Sequence, residues 1–306
     1  MRVAITGATG LIGTKVSRAL RDRGDTVVAL SRDGRSARER LGADIEVVEW
    51  ADPLGTPAPA AALAGADGVI HLLGEPVAQR WTDRARTAIR DSRVLGTRNL
   101  VATLAQLGPE ERPGVLVSQS ATGYYGPRGS ERLTESAAAG EDFLADVVVA
   151  WEAEAHGAEP LARVVCTRTG VVLAPAGGAL DKMLPVFRLG IGGPVGSGKQ
   201  YVPWIHVDDV VGGLLRALDD ESLHGPVNLT APEPATNREL SQALGRALHR
   251  PAFWPVPGAA VKLLYGQMAT IVLTGQRAVP AQLTAAGFRF EQPDLDAALT
   301  DVVAQL

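Results

Sequence analysis

The chain has 306 residues, 46% of them hydrophobic, with 30 basic and 34 acidic side chains for a formal charge of -4. That is enough apolar material for one large α/β domain or a domain with a smaller partner, and the interspersed charges give no stripe to attract nucleic acid or an anionic membrane. A single cysteine, Cys166, excludes an internal disulfide and a thiolate metal cluster.

Residues 2–5 read as a short strand buried on both faces, and residues 11–20 repeat apolar side chains at helical spacing. Between them runs Thr6-Gly7-Ala8-Thr9-Gly10-Leu11-Ile12-Gly13. Gly7 permits a tight turn, Gly10 lets a phosphate approach the backbone, and Gly13 lets the helix lie against the strand. The unpaired N–H groups of the first helical turn then face an anion, so this stretch predicts dinucleotide binding. No charged and apolar leader precedes it, and a cytoplasmic location is expected.

Residues 26–30 form the second predicted strand, ending at Ser31-Arg32-Asp33-Gly34-Arg35, about 20 residues past the glycine turn, where the adenosine ribose belongs. Ser31, Arg32 and Arg35 match a 2′-phosphate, which favours NADP over NAD, although Asp33 offers a carboxylate for free ribose hydroxyls. Residues 45–50 alternate as a third strand with Asp52 just beyond, near the adenine position. A fourth strand, 68–73, leads into Gly74, where Leu73 and Gly74 suit close passage of the cofactor. A long helical pattern fills 82–107, and a fifth strand, 114–118, precedes a polar and aromatic turn, Ser118-Gln119-Ser120-Ala121-Thr122-Gly123-Tyr124-Tyr125-Gly126.

A helix over 143–156 and a sixth strand over 161–168, ending at Arg168, follow. Glycines at 190–198 suggest a mobile loop. Residues 200–206 read as a strand, Asp208 as the cap of a helix through Leu218, 227–229 as another strand, and Thr236-Asn237-Arg238-Glu239 as a capping box. Strands separated by helices imply an α/β fold with a doubly wound, parallel Rossmann sheet. Residues 1–170 are expected to form the NAD(P)-binding domain, with additions from about 200–230, and residues 171–306 mainly a smaller C-terminal substrate-capping domain.

These motifs resemble the short-chain dehydrogenase/reductase superfamily in its extended, nucleotide-sugar-epimerase-like branch. Thr6 to Gly13 is similar to that branch's glycine turn, Arg93-Val94-Leu95-Gly96-Thr97 to its fourth-helix segment, and Trp204-Ile205-His206-Val207-Asp208-Asp209 to its HVDD segment. Arg168-Thr169-Gly170-Val171-Val172-Leu173, Asn228-Leu229-Thr230-Ala231-Pro232 and Arg277-Ala278-Val279-Pro280 resemble an atypical "epimerase family" group with a short C-terminal domain. The superfamily's helix carries a tyrosine and, four residues on, a lysine that lowers the phenol pKa. This chain has no such pair, and with Glu152 at the helix's usual glutamate the two positions fall on Leu144 and Val148.

The catalytic candidates are therefore Ser120, Tyr124 and Tyr125, and the cofactor candidates are Thr6, Gly7, Thr9, Gly10, Leu11, Ile12, Gly13, Ser31, Arg32, Arg35, Asp52, Leu73, Gly74, Ser120 and Arg168. Three accounts of the missing pair compete: a phenol from the 124–125 turn, hydride transfer without a strong protein acid, and NADP(H) binding without turnover as a redox sensor. Sugar epimerisation is disfavoured because it requires the missing base. The expected partner is a small-molecule substrate, with no nucleic acid and no membrane; a monomer and a homodimer both remain open. His206 beside Asp208 and Asp209 reads as a helix cap and a buried histidine, and no metal motif is present.

Overall fold

A computed structural model describes residues 1–306. In chain order the first half is β1 (Arg2–Thr6), α1 (Leu11–Asp22), β2 (Thr26–Ser31), α2 (Gly34–Leu41), β3 (Glu46–Glu49), α3 (Ala60–Leu63), β4 (Gly68–His71), α4 (Asp83–Gln106), β5 (Val115–Ala121), β6 (Arg132–Leu133) and α5 (Phe143–His156). The second half is β7 (Arg163–Thr169), β8 (Val171–Leu173), α6 (Leu180–Arg188), β9 (Tyr201–Val202), β10 (Trp204–His206), α7 (Val207–Asp219), β11 (Gly225–Leu229), β12 (Ala235–Thr236), α8 (Asn237–Ala247), α9 (Gly258–Tyr265), α10 (Ala269–Leu273), β13 (Arg277–Ala278), α11 (Ala281–Ala285) and α12 (Leu295–Ala304).

Seven strands form one parallel sheet in the order β11-β7-β5-β4-β1-β2-β3. Strand alternation builds two cores. Val3, Ile5, Val27 and Ala29 face α1 and α7, whereas Ala4, Val28 and Leu30 face α3, α4 and the end of α5. Cys166 lies in the second core, where burial pushes its thiol pKa up. From β1 the chain winds one way to β2 and β3, then returns to β4 and winds the other way. The crevice at the carboxyl ends of β1 and β4 is thus the switch point of the sheet. No helix is long and apolar enough to cross a membrane.

Three local expectations are corrected first. β5 runs on to Ala121 because residues 118–121 pair with 166–169 of β7, so Ser120 belongs to a strand. The segment over 200–206 is split at Pro203 into β9 and β10. α7 is capped by His206, whose Nδ1 accepts from the Asp208 N–H at 3.2 Å, and not by Asp208. Glycines in 190–198 serve close packing: a Cβ on Gly193 would fall 2.1 Å from the Trp254 carbonyl oxygen, and Val195 bridges to Val256. The capping box at Thr236 is complete, with Glu239 and Thr236 satisfying each other's backbone N–H.

One buried polar relay ties the switch point to the helices. The Leu72 N–H donates to Thr6 Oγ1 (3.1 Å), and Thr6 Oγ1 lies 2.8 Å from His71 Nδ1. His71 Nε2 lies 3.0 Å from Thr97 Oγ1, which also accepts from Trp151 Nε1 (2.9 Å) and donates to the Arg93 carbonyl (2.7 Å). Counting donors fixes the tautomer: Thr97 has spent its proton, so His71 carries hydrogen on Nε2 and accepts from Thr6 on Nδ1. Burial lowers the His71 pKa from 6.5 to about 4. Because that pKa is depressed, the neutral ring's stability is complete above pH 6.5 and is lost as pH falls toward 4, about 3 kcal/mol in all. Urea unfolding across that window should show the loss, and His71→Gln, which cannot protonate, should remove this part of the slope.

Candidate functional site

The first part of the site is the glycine turn between β1 and α1. Gly7 adopts a φ of 66°, and a Cβ there would fall 2.6 Å from the Leu72 carbonyl oxygen. A Cβ on Gly13 would fall 2.2 Å from the Gly7 carbonyl oxygen, so both positions admit no side chain. Gly10 is exposed and begins α1 with no side-chain cap and no acidic residue in the first turn. The first N–H groups of α1 therefore open outward as an anion cradle.

Beside the turn is a cleft of about 210 Å³ lined by Thr6, Gly7, Thr9, Gly10, Leu30, Ser31, Arg32, Trp50, Pro53, Leu72, Leu73 and Gly74. Trp50 and Pro53 fill the place assigned to Asp52. The Asp52 carboxylate is turned back into its own loop, where Oδ1 accepts from the Leu54 and Gly55 N–H groups at 3.2 and 3.0 Å. Trp50 hides at the end of an alternating strand pattern, and only the curl of the following loop, pinned by Trp50 Nε1 on the Thr56 carbonyl (3.0 Å), brings it to the cleft.

At the outer end of the cleft Arg32 is exposed and pairs with no carboxylate, while Asp33 is committed elsewhere. Asp33 caps α2, with Oδ1 accepting from the Arg35 and Ser36 N–H groups, each at 3.0 Å. A carboxylate with one oxygen so engaged is a weaker acceptor for ribose hydroxyls, and an arginine free of partners is a good donor to phosphate. Arg35 stands exposed on the first turn of α2, outside the lining.

The second part of the site is the turn after β5, and there the sequence expectation changes most. Ser120, Tyr125 and Arg168 are almost fully buried, at 1%, 0% and 3% exposure. The Ser120 hydroxyl donates to Glu152 Oε1 at 2.5 Å. Arg168 forms a bidentate pair with Glu152, Nε to Oε1 and Nη2 to Oε2, both at 2.8 Å, and its Nη1 donates to the Tyr125 hydroxyl and the Glu135 carbonyl, both at 3.1 Å. The Tyr125 hydroxyl donates in turn to Asn228 Oδ1 at 2.7 Å. Burial raises the Tyr125 pKa against the pull of Arg168, and the bonds to Glu152 hold the Arg168 pKa above its ordinary value despite burial. These three residues therefore form an internal brace in which Ser120 and Tyr125 have no hydrogen left for a ligand and Arg168 has one, on Nη2. Glu135 and Asn228 complete the brace from distant parts of the chain; Glu135 carries no sequence signal, and Asn228 stands out only as part of the Asn228-Leu229-Thr230-Ala231-Pro232 motif.

Tyr124 is different. It is half-buried, its ring lies under the Arg168 guanidinium at 3.4 Å, and its hydroxyl bonds to no protein group. The short helical turn that bears it rests on α5: a Cβ on Gly123 would meet Leu144 at 3.4 Å and Val148 at 3.9 Å. Thus Leu144 and Val148, the positions on which an alignment through Glu152 places the usual acid/base pair, support the tyrosine turn from below.

His206, Asp208 and Asp301 bring three metal-type ligands within 4.8 Å of one another. Their protons argue against a metal. His206 Nδ1 already accepts the Asp208 N–H, so the neutral ring carries its hydrogen on Nε2, which lies 3.2 Å from Asp301 Oδ2 without forming a hydrogen bond, and Lys15 Nζ holds Asp208 Oδ1 at 3.1 Å.

An uncapped helix start at the switch point, with a tyrosine turn on the next strand end, defines a nucleotide-binding α/β protein of the dehydrogenase/epimerase class. The chain belongs to the NAD dependent epimerase/dehydratase family, whose profile matches residues 3–229, and a domain of unknown function, DUF1731, matches residues 256–302. It is 41% identical over 300 residues to the epimerase family protein MT2273 of Mycobacterium tuberculosis, covering 97% of this chain and 96% of that one. The crystal structure of human epimerase family protein SDR39U1 with NADPH superposes with a TM-score of 0.89 at 34% identity over 100% of both chains. A nucleoside-diphosphate sugar epimerase from Corynebacterium glutamicum matches at 0.77 and 33%, over 99% of this chain and 58% of that one.

Breaking the brace should cost stability before it touches ligand binding. Glu152→Gln leaves the Arg168 cation buried against a neutral amide and should lower unfolding free energy by about 3–5 kcal/mol, against about 1 kcal/mol for Ser120→Ala. Chemical denaturation of both variants checks the ranking.

Proposed function

We propose that the chain binds NADP(H) and transfers hydride on a small molecule, with Tyr124 as the proton donor in place of the absent tyrosine–lysine pair. The observation that carries the cofactor choice is the unpaired Arg32 at the end of a cleft whose nearest carboxylate, Asp33, is committed to capping α2. The NADPH in the human relative's crystal structure supports the same choice. The first N–H groups of α1 would hold the diphosphate, Thr6 and Leu72 to Gly74 would flank the middle of the nucleotide, and Trp50 with Pro53 would wall the adenine end. When bound, the cofactor supplies a hydride.

Everything else falls to the chain. Tyr124 has its hydroxyl unspent, its ring held under a cation and its backbone carbonyl fixed by the Gly140 N–H at 2.8 Å, so it can deliver a proton to the atom of the substrate that needs one. Ser120, Tyr125 and Arg168 act as positioning residues that keep the ring in place. Leu144 and Val148 keep the turn dry from below, and they offer no base for oxidising a sugar hydroxyl, which weighs against epimerisation. One observation favours a second reading: with three of four polar candidates spent internally, a single phenol remains, as would suit a redox sensor that binds without turnover.

Arg32→Glu should weaken NADPH about tenfold to a hundredfold and NADH little, measured by nicotinamide fluorescence. An equal loss for both would remove the 2′-phosphate assignment. In a reductase screen, Tyr124→Phe should cut turnover about a hundredfold at unchanged NADPH affinity. Unchanged turnover removes the phenol from the reaction, and no turnover in the parent protein favours the sensor.

A further inference from the structure

Arg93 leaves one edge of its guanidinium unspent. It reaches in from α4, where Nη1 donates to the Glu75 and Ile89 carbonyls at 2.9 and 3.0 Å. Its Nε and Nη2 meet no protein acceptor and are open to solvent, unlike the sealed Nε of Arg216 and of Arg277. Arg168 closes the same pair of atoms on Glu152, and Arg163 spends its Nη groups on three carbonyls. Burial lowers the Arg93 pKa to about 10 against the pull of Glu75, so the group is a cation at neutral pH, partly desolvated and short of acceptors.

Two surfaces fix where that edge lies. On one side is Gly74, at the end of the nucleotide cleft: a Cβ there would fall 3.1 Å from the Arg93 guanidinium carbon and 3.2 Å from Nη2. On the other side is α5, with the guanidinium carbon 5.1 Å from the centroid of the Trp151 ring. Trp151 follows Leu144 and Val148 along one face of α5, the face on which the tyrosine turn rests. Gly96, three residues beyond Arg93, makes the approach of α4 close, since a Cβ on it would fall 2.6 Å from Leu73 Cδ2. A molecule that leaves the cleft at Gly74 and runs toward Tyr124 therefore passes Arg93. With the 2′-phosphate at Arg32, the adenine at Trp50 and the diphosphate at the start of α1, the next unit of the dinucleotide is the nicotinamide ribose, which offers two vicinal hydroxyl oxygens.

We propose that Arg93 holds the nicotinamide ribose, its Nε and Nη2 donating to the two vicinal hydroxyl oxygens. An alignment through Glu152 puts the superfamily's lysine at Val148, three residues before the Trp151 ring on which Arg93 lies, so the cation comes from α4 in place of α5. A planar fork addresses two oxygens at once, which an ammonium does not. The inference rests on the nucleotide reading and adds to it the residue that fixes the reacting end of the cofactor.

Calorimetric titration with two nucleotides that differ by one ribose tests it. Adenosine 2′-phosphate 5′-diphosphate ends at the diphosphate, and 2′-phospho-ADP-ribose continues through the ribose without the nicotinamide. Both, together with NADPH, are titrated into wild type, Arg93→Met and Arg93→Lys. Arg93→Met should weaken NADPH and 2′-phospho-ADP-ribose about tenfold to a hundredfold and leave the shorter nucleotide unchanged, with Arg93→Lys in between. An equal loss for the two nucleotides overturns the assignment, because a contact with the diphosphate or a purely structural role moves them together. Undiminished binding of both overturns it as well. If Arg93→Met does not fold, Arg93→Lys is read against the same pair. Wild type that binds none of the three ligands overturns the nucleotide reading, and this inference with it.

Discussion

The bidentate pair between Arg168 and Glu152 sets the geometry of the candidate site. Arg168 projects from the sheet and Glu152 from the helix that covers it, so two rigid elements are locked at one azimuth by two parallel charge-assisted bonds. Leu144, Val148 and Glu152 are spaced four residues apart and share one stripe of α5. Fixing Glu152 inward therefore also aims Val148 and Leu144 at Gly123, and so sets the height of the turn that carries Tyr124. A buried pair of this kind is weak evidence for net stability, because desolvation offsets most of its attraction, but it is costly to break once formed. Its value here is registration.

The nucleotide side depends on a second buried polar system. Thr6 ends β1 and begins the glycine turn, and its hydroxyl is held through His71 to Thr97 and Trp151. Every member is satisfied, so the relay rigidifies the switch point instead of weakening it. The anion cradle at α1 and the tyrosine turn consequently sit on one frame, since α4 and α5 both contribute to the relay and α5 also carries Glu152. β13, from the C-terminal region, brings Ala278 to the same tyrosine cluster.

Much of the scaffold was legible in local patterns. Alternation and helical spacing located the seven strands of the sheet and the helices α1, α4 and α5, because side chains packed against a sheet must repeat with the period of their element. Gly7 and Gly13 announced themselves because only glycine fits where a Cβ would meet backbone. Less was legible in the site. Asp52 lies near the cleft in sequence, yet an Asx-type turn draws its carboxylate into the loop. Ser120, Tyr125 and Arg168 have the right chemistry at the right sheet edge, but their partners Glu152, Asn228 and Glu135 come from separate segments, and no spacing rule predicts that these would use up all but one of their donors.

The amino-acid sequence by itself determined the parallel α/β architecture, the anion-binding start of α1, the basic residue at the end of β2 and the loss of the tyrosine–lysine pair, since each is a matter of residues close together in the chain. Tertiary structure alone decided which polar groups face a ligand and which face one another. Hydrogen bonds between buried groups depend on sub-ångström placement of elements far apart in sequence, so the same serine, tyrosine and arginine can serve a substrate or brace a wall, and only the packing of α5 on β5 and β7 distinguishes the two.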